Sequence, residues 1–196
     1  MAKSSKEWLR RHVTDHYVKQ ARKQGYRSRA AFKLLGIDAK ERLFRPGQTV
    51  IDLGAAPGGW SQVAAERVKP GGRVIAVDLL DIAPISGVTT VKGDFRQVPI
   101  ETSADVVLSD VSPNLSGIAS VDQARLLELG AAAIALCRKA LKPDGVFLAK
   151  AFHGEAFDEL RAALSAAFAK VKIVKPPASR GESAETYVVA RGLRGL

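Results

Sequence analysis

The run Thr49-Val-Ile-Asp-Leu-Gly-Ala-Ala-Pro-Gly-Gly-Trp constrains this chain more than any other part of it. Thr, Val and Ile favour a pleated, half-buried strand. The small residues after Leu53 stop that strand in a tight turn before a helical stretch over 61–68. The alternation then repeats. Arg73-Val-Ile-Ala-Val reads as a second strand, Val88-Thr-Thr-Val as a third, Ala104-Asp-Val-Val-Leu-Ser as a fourth and Gly145-Val-Phe-Leu-Ala-Lys as a fifth. Helical spacing runs over 122–141, closed by a Lys142-Pro-Asp-Gly turn, and again over 155–168. Val171-Lys-Ile-Val and Thr186-Tyr-Val-Val-Ala are the last two strands. Strands alternating with helices predict an α/β, doubly wound, mostly parallel sheet with helices on both faces. The connection over 175–185 is too short for a crossover helix, so the last two strands should pair antiparallel. The expectation is seven strands with one reversed near an edge.

At 196 residues, 46% hydrophobic and 26% charged, the chain can bury one core without staples. We expect a single domain, with a basic arm over 1–46 and an α/β core over 47–196. The lone cysteine, Cys137, excludes an internal disulfide, and His12, His16 and His153 lack metal-ligand spacing, so no metal is expected. No apolar run reaches the ~18 residues of a membrane span, and the first residues are charged rather than secretory in character. A monomeric, cytoplasmic protein without a membrane partner is expected.

Charge is placed unevenly. Residues 1–46 hold 13 Lys/Arg and 4 Asp/Glu, a net of +9, whereas residues 47–196 hold 17 and 16, a net of +1. A basic arm beside a neutral body suits the phosphate backbone of RNA or DNA, whose counterions it displaces. Trp8, Tyr17, Tyr26 and Phe32 interleave with the charges, and Ser28-Arg-Ala-Ala-Phe-Lys-Leu-Leu has helical periodicity, so the arm should fold and dock. Arg22, Lys23, Arg27 and Arg29 are its candidate phosphate contacts.

Ligands of open α/β sheets bind outside the carboxyl ends of the strands, so the residues there carry the functional argument. After the first strand, Gly54, Pro57, Gly58, Gly59 and Trp60 make a loop that is not Gly-x-Gly-x-x-Gly and offers no lysine to a phosphate. The pattern Asp-x-Gly-x-x-Pro-Gly-Gly suits S-adenosylmethionine, which has no phosphates and needs a glycine floor. Asp78 after the second strand can accept both ribose hydroxyls of an adenosine. Asp94 after the third can accept from the adenine amine, with Phe95 alongside. Asp110 and Lys150 end the fourth and fifth strands, and a lysine there is costly unless it faces a site or a partner. Lys33 on the arm and Glu185 at the last strand are candidates for the same pocket.

Asp52-Leu-Gly-Ala-Ala-Pro-Gly-Gly-Trp-Ser-Gln, Gly93-Asp-Phe, Ser109-Asp-Val-Ser-Pro-Asn, Lys150-Ala-Phe-His-Gly-Glu and the arm segment from Ser28 together resemble the FtsJ-type ribose 2′-O-methyltransferases over about residues 5–192. The resemblance implies a Rossmann-like class I S-adenosylmethionine-dependent fold and a catalytic tetrad on Lys33, Asp110, Lys150 and Glu185. It also implies a cofactor site lined by Gly58, Trp60, Asp78, Asp94 and Asp110, and ribosomal RNA of the large subunit, methylated at a uridine, as substrate. The chain departs from the family pattern in a shorter stretch over 94–110 and in His153, where the family has glutamine. Glu182 is an acid where the family tends to be basic, and Glu185 takes the fourth position because Tyr187-Val-Val follows it. Burial and Lys33 would lower the pKa of Lys150 towards a base, whereas Asp110 and Glu185 would raise it and favour a charge-stabilising role. A non-catalytic RNA-binding assembly factor on the same fold is the alternative. It has no need of the lysine, aspartate and glycine set.

Overall fold

The computed structural model describes residues 16–113, 116–179 and 183–195; Trp8, His12, Asn114 and Glu182 lie outside them. Helices α1 (His16–Lys23) and α2 (Ala30–Glu41) belong to the arm. The core follows as β1 (Thr49–Leu53), α3 (Gly59–Arg67), β2 (Arg73–Asp78), β3 (Val88–Lys92), β4 (Ala104–Ser109), α4 (Ala119–Ala140), β5 (Leu141–Phe152), α5 (Glu155–Ala167), β6 (Phe168–Val174) and β7 (Glu185–Leu193). The sheet order is β3-β2-β1-β4-β5-β7-β6. Only β7 runs antiparallel, to β5 on one side and β6 on the other. This is the expected mostly parallel seven-stranded sheet. Among the described residues no helix is long and apolar enough to cross a membrane.

Side chains alternate across each strand, so the sheet builds two apolar layers. Ile51, Leu53, Val107 and Phe147 pack with Cys137 of α4 and Leu164 of α5. Val50, Val74, Leu108 and Tyr187 face the other way, onto Leu34 and Ile37 of α2 and Trp60 and Val63 of α3. Helix α2 of the arm thus shares the layer that α3 builds.

Several boundaries differ from the sequence expectation: α4 opens at Ala119 rather than at 122, β6 at Phe168 rather than at 171, and two further shifts bear on the site. The strand expected from 145 begins at Leu141: Ala104 pairs with Leu141 and Val106 with Val146, so residues 142–145 bulge from the ladder instead of forming a separate turn. Lys142 Nζ secures that bulge on Asp105 Oδ1 of the neighbouring strand at 2.6 Å. Helix α3 begins at Gly59 rather than at 61, which puts Trp60 in its first turn and turns the indole towards the core.

Candidate active site

The carboxyl ends of β1, β2, β3 and β4 frame a cleft of about 550 Å³ lined by Gly54, Asp78, Gly93, Asp94, Phe95, Asp110 and Val111, among others. Gly54 has φ 70°, and a Cβ there would come within 2.9 Å of the Val111 backbone. Any side chain would therefore push the β1 and β4 loops apart and close the cleft floor. Asp78 Oδ2 accepts from Ala56 N at 2.8 Å and its Oδ1 from Leu80 N at 2.8 Å. The carboxylate is fixed in place, with lone pairs left for a ligand hydroxyl. Asp94 is held by the Arg96 side chain and by Arg96 N, bonds that keep its carboxyl below the ordinary range. Arg96 also reaches Glu128 on α4, so this charged bridge crosses the Asp94 end of the cleft. A glycine floor, a fixed acid at each of two successive strand ends and apolar walls from Phe95, Leu79 and Leu80 fit an adenosine sulfonium with no phosphate to neutralise.

Beneath the floor lies Asp52, fully buried, its Oδ2 accepting from Ser61 Oγ at 2.6 Å and its Oδ1 without a hydrogen-bond partner. Burial, aided by the nearby Asp110 and Asp78 charges and opposed by Ser61, pushes its pKa up to about 7. The folded protein therefore binds this proton more tightly than the unfolded chain, and the resulting stability is lost as pH rises from about 4 to about 7. Asp52→Asn, which cannot ionise, should gain on the wild type across that window, by about 4 kcal/mol at most. Urea denaturation of both proteins at pH 4, 5.5 and 7 would measure it. A constant difference between them would exclude a buried, titrating Asp52. Sequence reading gave Asp52 no functional role, because nothing local reveals that its strand is roofed on both sides.

Beside the cleft the four tetrad candidates come together as two ion pairs. Lys33 Nζ of α2 donates to Glu185 Oε1 at 2.6 Å and Oε2 at 2.8 Å. Tyr187 OH donates to the same Oε1 at 3.0 Å. Lys150 Nζ donates to the Asp110 carbonyl at 3.1 Å and lies 3.0 Å from Asp110 Oδ1, a charge contact whose angle falls outside hydrogen-bond geometry. The side chains of Lys150 and Lys33 are 11% and 15% exposed, so these cations are screened by little water.

The fold explains the grouping. Lys150 of β5 pairs across the ladder with Tyr187 of β7, which sets Glu185 two residues away at the opening of that reversed strand. Burial pushes the Asp110 carboxyl up, and the charge and proximity of Lys150 offset only part of that. Burial would raise Glu185 too, but the Lys33 bond and charge, with Tyr187, outweigh it and bring Glu185 below its ordinary value. Burial and the carboxylates of Asp110 and Glu185 keep Tyr187 a phenol. Sequence reading missed Tyr187 because a tyrosine within a strand looks like core.

Other expected site residues lie elsewhere. Trp60 is 3% exposed and does not line the cleft; its indole N–H donates to Ala30 O at 2.9 Å and its ring lies 5.7 Å from that of Tyr187. Pro57, Gly58 and Gly59 are likewise not among the lining residues. The Cβ direction of Gly58 meets Ile85 and Arg27, and that of Gly59 meets Ser28. Their small size makes room for the arm. Arg22 and Lys23 are exposed in the last turn of α1, open to a phosphate. Arg27 and Arg29, expected to contact phosphate, both donate to backbone carbonyls, Arg27 at the surface to Pro57, Ala83 and Pro84 and Arg29 to the buried Ala178. Ala178 is buried, so its carbonyl needs a donor, which Arg29 supplies, whereas Pro57, Ala83 and Pro84 are exposed and Arg27 ties them together at the surface.

The sheet and its cleft define a Rossmann-like, S-adenosylmethionine-dependent methyltransferase. A model of the FtsJ-like methyltransferase family matches residues 26–193, and the chain belongs to that family. It is 49% identical to ribosomal RNA large subunit methyltransferase E of Nitrosospira multiformis, over 98% of each chain. It is 46% identical to the protein of the same name in Cellvibrio japonicus, over 99% of this chain and 96% of that one. Among solved structures, one described as a ribosomal RNA methyltransferase of Plasmodium falciparum superposes with a TM-score of 0.78 at 25% identity, covering 87% of this chain and 100% of that one. Aeropyrum pernix fibrillarin, solved with S-adenosyl-L-methionine bound, shares the fold with a TM-score of 0.59 at 18% identity, over 84% of this chain and 75% of that one.

Proposed function

We propose that this protein transfers the methyl group of S-adenosylmethionine to the ribose 2′-hydroxyl of a uridine in the A-loop of large-subunit ribosomal RNA. Its substrate is the assembled subunit, and it works as a cytoplasmic monomer. The observation that carries the reading is the pair of ion contacts, Lys33–Glu185 and Lys150–Asp110, at the carboxyl end of the sheet beside the cleft.

S-adenosylmethionine supplies an already activated methyl, whose bond to sulfur breaks as the bond to oxygen forms. The protein's tasks are alignment and handling of one hydroxyl proton. Gly54, Asp78 and Asp94 would hold the donor. Lys150, paired with Asp110, orients the 2′-oxygen and stabilises the negative charge that develops on it as the methyl is transferred and the hydroxyl proton passes to water at the open cleft. Glu185, locked by Lys33 and Tyr187, holds the ribose side of the site, and the neighbouring Lys33 adds positive potential. Arg22 and Lys23 contact the RNA backbone, which positions the substrate without reading its sequence.

The test is incubation with methyl-labelled S-adenosylmethionine and undermethylated large subunits, with naked ribosomal RNA in parallel, followed by digestion to nucleosides. Label in 2′-O-methyluridine from subunits is the expected result. Label on a base, or on another ribose only, would reject the 2′-O-uridine assignment. Preferential labelling of naked RNA would reject the assembled subunit as substrate.

A further inference from the structure

Arg27 bridges two loops at the surface. Its guanidinium donates to three backbone carbonyls, Pro57 O at 3.2 Å, Ala83 O at 2.7 Å and Pro84 O at 2.8 Å. Pro57 lies in the turn between β1 and α3. Ala83 and Pro84 belong to the segment that follows Asp78, Leu79 and Leu80, which line the cleft. One side chain thus ties together the two loops that frame one side of the cleft, although it lines none of it itself. Gln62 of α3 seats the arm from both sides: its Oε1 accepts from Arg27 N at 2.9 Å and its Nε2 donates to Gly25 O at 3.0 Å. The fit is close. Gly58, at φ 108°, faces Ile85 and Arg27, and a Cβ there would lie 2.6 Å from the one and 3.1 Å from the other.

None of the three acceptors is a carboxylate, so the charge of Arg27 does not select its partners. What they require is a planar fork with several diverging N–H groups, which arginine presents and lysine does not. The β1–α3 turn otherwise reaches this side of the sheet through Gly54 N and Ala55 N to Val77 O and through Ala56 N to Asp78, all at the end of β2, so Arg27 is what ties the turn to residues 83 and 84.

We propose that Arg27 is a positioning residue for S-adenosylmethionine: through its three carbonyl bonds the basic arm sets the cofactor loops in their binding arrangement. This goes beyond the assignment of the arm to RNA, and it rests on the reading that the cleft holds the cofactor. The arm then has two sets of cations, Arg22 and Lys23 facing the substrate and Arg27 organising the donor site.

The experiment uses the full chain. S-adenosylmethionine affinity is measured by calorimetry for the wild type, Arg27→Ala, Arg27→Lys and an Arg22→Ala/Lys23→Ala double variant. Affinity for transcribed large-subunit RNA is measured as a function of salt, and KM for S-adenosylmethionine and kcat are determined with undermethylated subunits. Both Arg27 variants should weaken S-adenosylmethionine on the order of ten-fold, because either loses the fork of charged hydrogen bonds. The rise should fall on KM for the cofactor, with kcat at saturation largely kept and with the salt slope of RNA binding retained by Arg27→Lys. The double variant should bind S-adenosylmethionine as the wild type does and show a shallower salt slope. Wild-type cofactor affinity in Arg27→Lys, or in Arg27→Ala with RNA binding lost instead, would overturn the proposal. Arg27→Lys keeps the test decisive should the alanine variant not fold. A wild-type protein that binds no S-adenosylmethionine would instead refute the cofactor assignment of the cleft, a result distinguishable from either.

Discussion

Lys150→Ala should lower methyl transfer on the order of 10³-fold or more while leaving S-adenosylmethionine affinity within about two-fold of the wild type. Both halves follow from where the side chain lies. Lys150 lies two residues before the end of β5 with Nζ against Asp110, and it is not among the residues lining the cleft. In the role proposed for it, removing it takes away the charge that stabilises the developing alkoxide, an interaction made more strongly in the transition state than in the ground state. The cleft floor at Gly54 and the acids at Asp78 and Asp94 are untouched. Single-turnover transfer and calorimetric cofactor binding on the same preparation measure the two halves. Loss of cofactor binding in the variant would contradict this role for Lys150. Retention of transfer would move the charge-stabilising role to Lys33, the other lysine of the site.

Asp110→Ala should behave differently, failing in stability, cofactor binding and transfer together. Asp110 lines the cleft, and its carboxylate is the charge partner of a lysine that is only 11% exposed. Deleting one member of this half-buried pair leaves the other's charge partly desolvated without its partner, at a cost of about 1–3 kcal/mol. Asp110→Asn keeps the shape and a polar oxygen near Lys150 and should lose less stability, yet it supplies no negative charge. Chemical denaturation of both variants separates these effects. Equal stability of Asp110→Ala and the wild type would show that the Lys150 ammonium does not depend on this partner.

The contrast between these variants depends on residues that are far apart in sequence. Lys33 and Glu185 are 152 positions apart and meet at 2.6 Å, and Lys150 and Asp110 are 40 apart. Asp110 and Lys150 stood out at strand ends, whereas Lys33 and Glu185 joined them as a tetrad through the family resemblance. The sequence contained no sign of which would pair with which. That assignment needed the reversed strand β7, laid between β5 and β6.

Arg27 and Trp60 were legible only as types. An arginine in a basic arm looks like a phosphate contact, and a tryptophan after a glycine loop looks like a cofactor wall. Their true surroundings come from contacts made 30 or more residues away, with Pro57, Ala83 and Pro84 for Arg27 and with Ala30 and Tyr187 for Trp60. The start of β5 escaped for a related reason. Lys142-Pro-Asp-Gly has every local mark of a turn, but a lysine–aspartate contact to the neighbouring strand holds it as a bulge in the ladder.

By itself, then, the sequence determined the order of strands and helices, the reversed strand and the acids at successive strand ends. These follow from side-chain period, backbone preference and loop length, which act within a few residues. Only the tertiary structure decided the two ion pairs, the burial of Asp52 and the carbonyl contacts of Arg27 and Arg29. Such outcomes depend on which distant charges and carbonyls the fold brings together, and no local pattern encodes that.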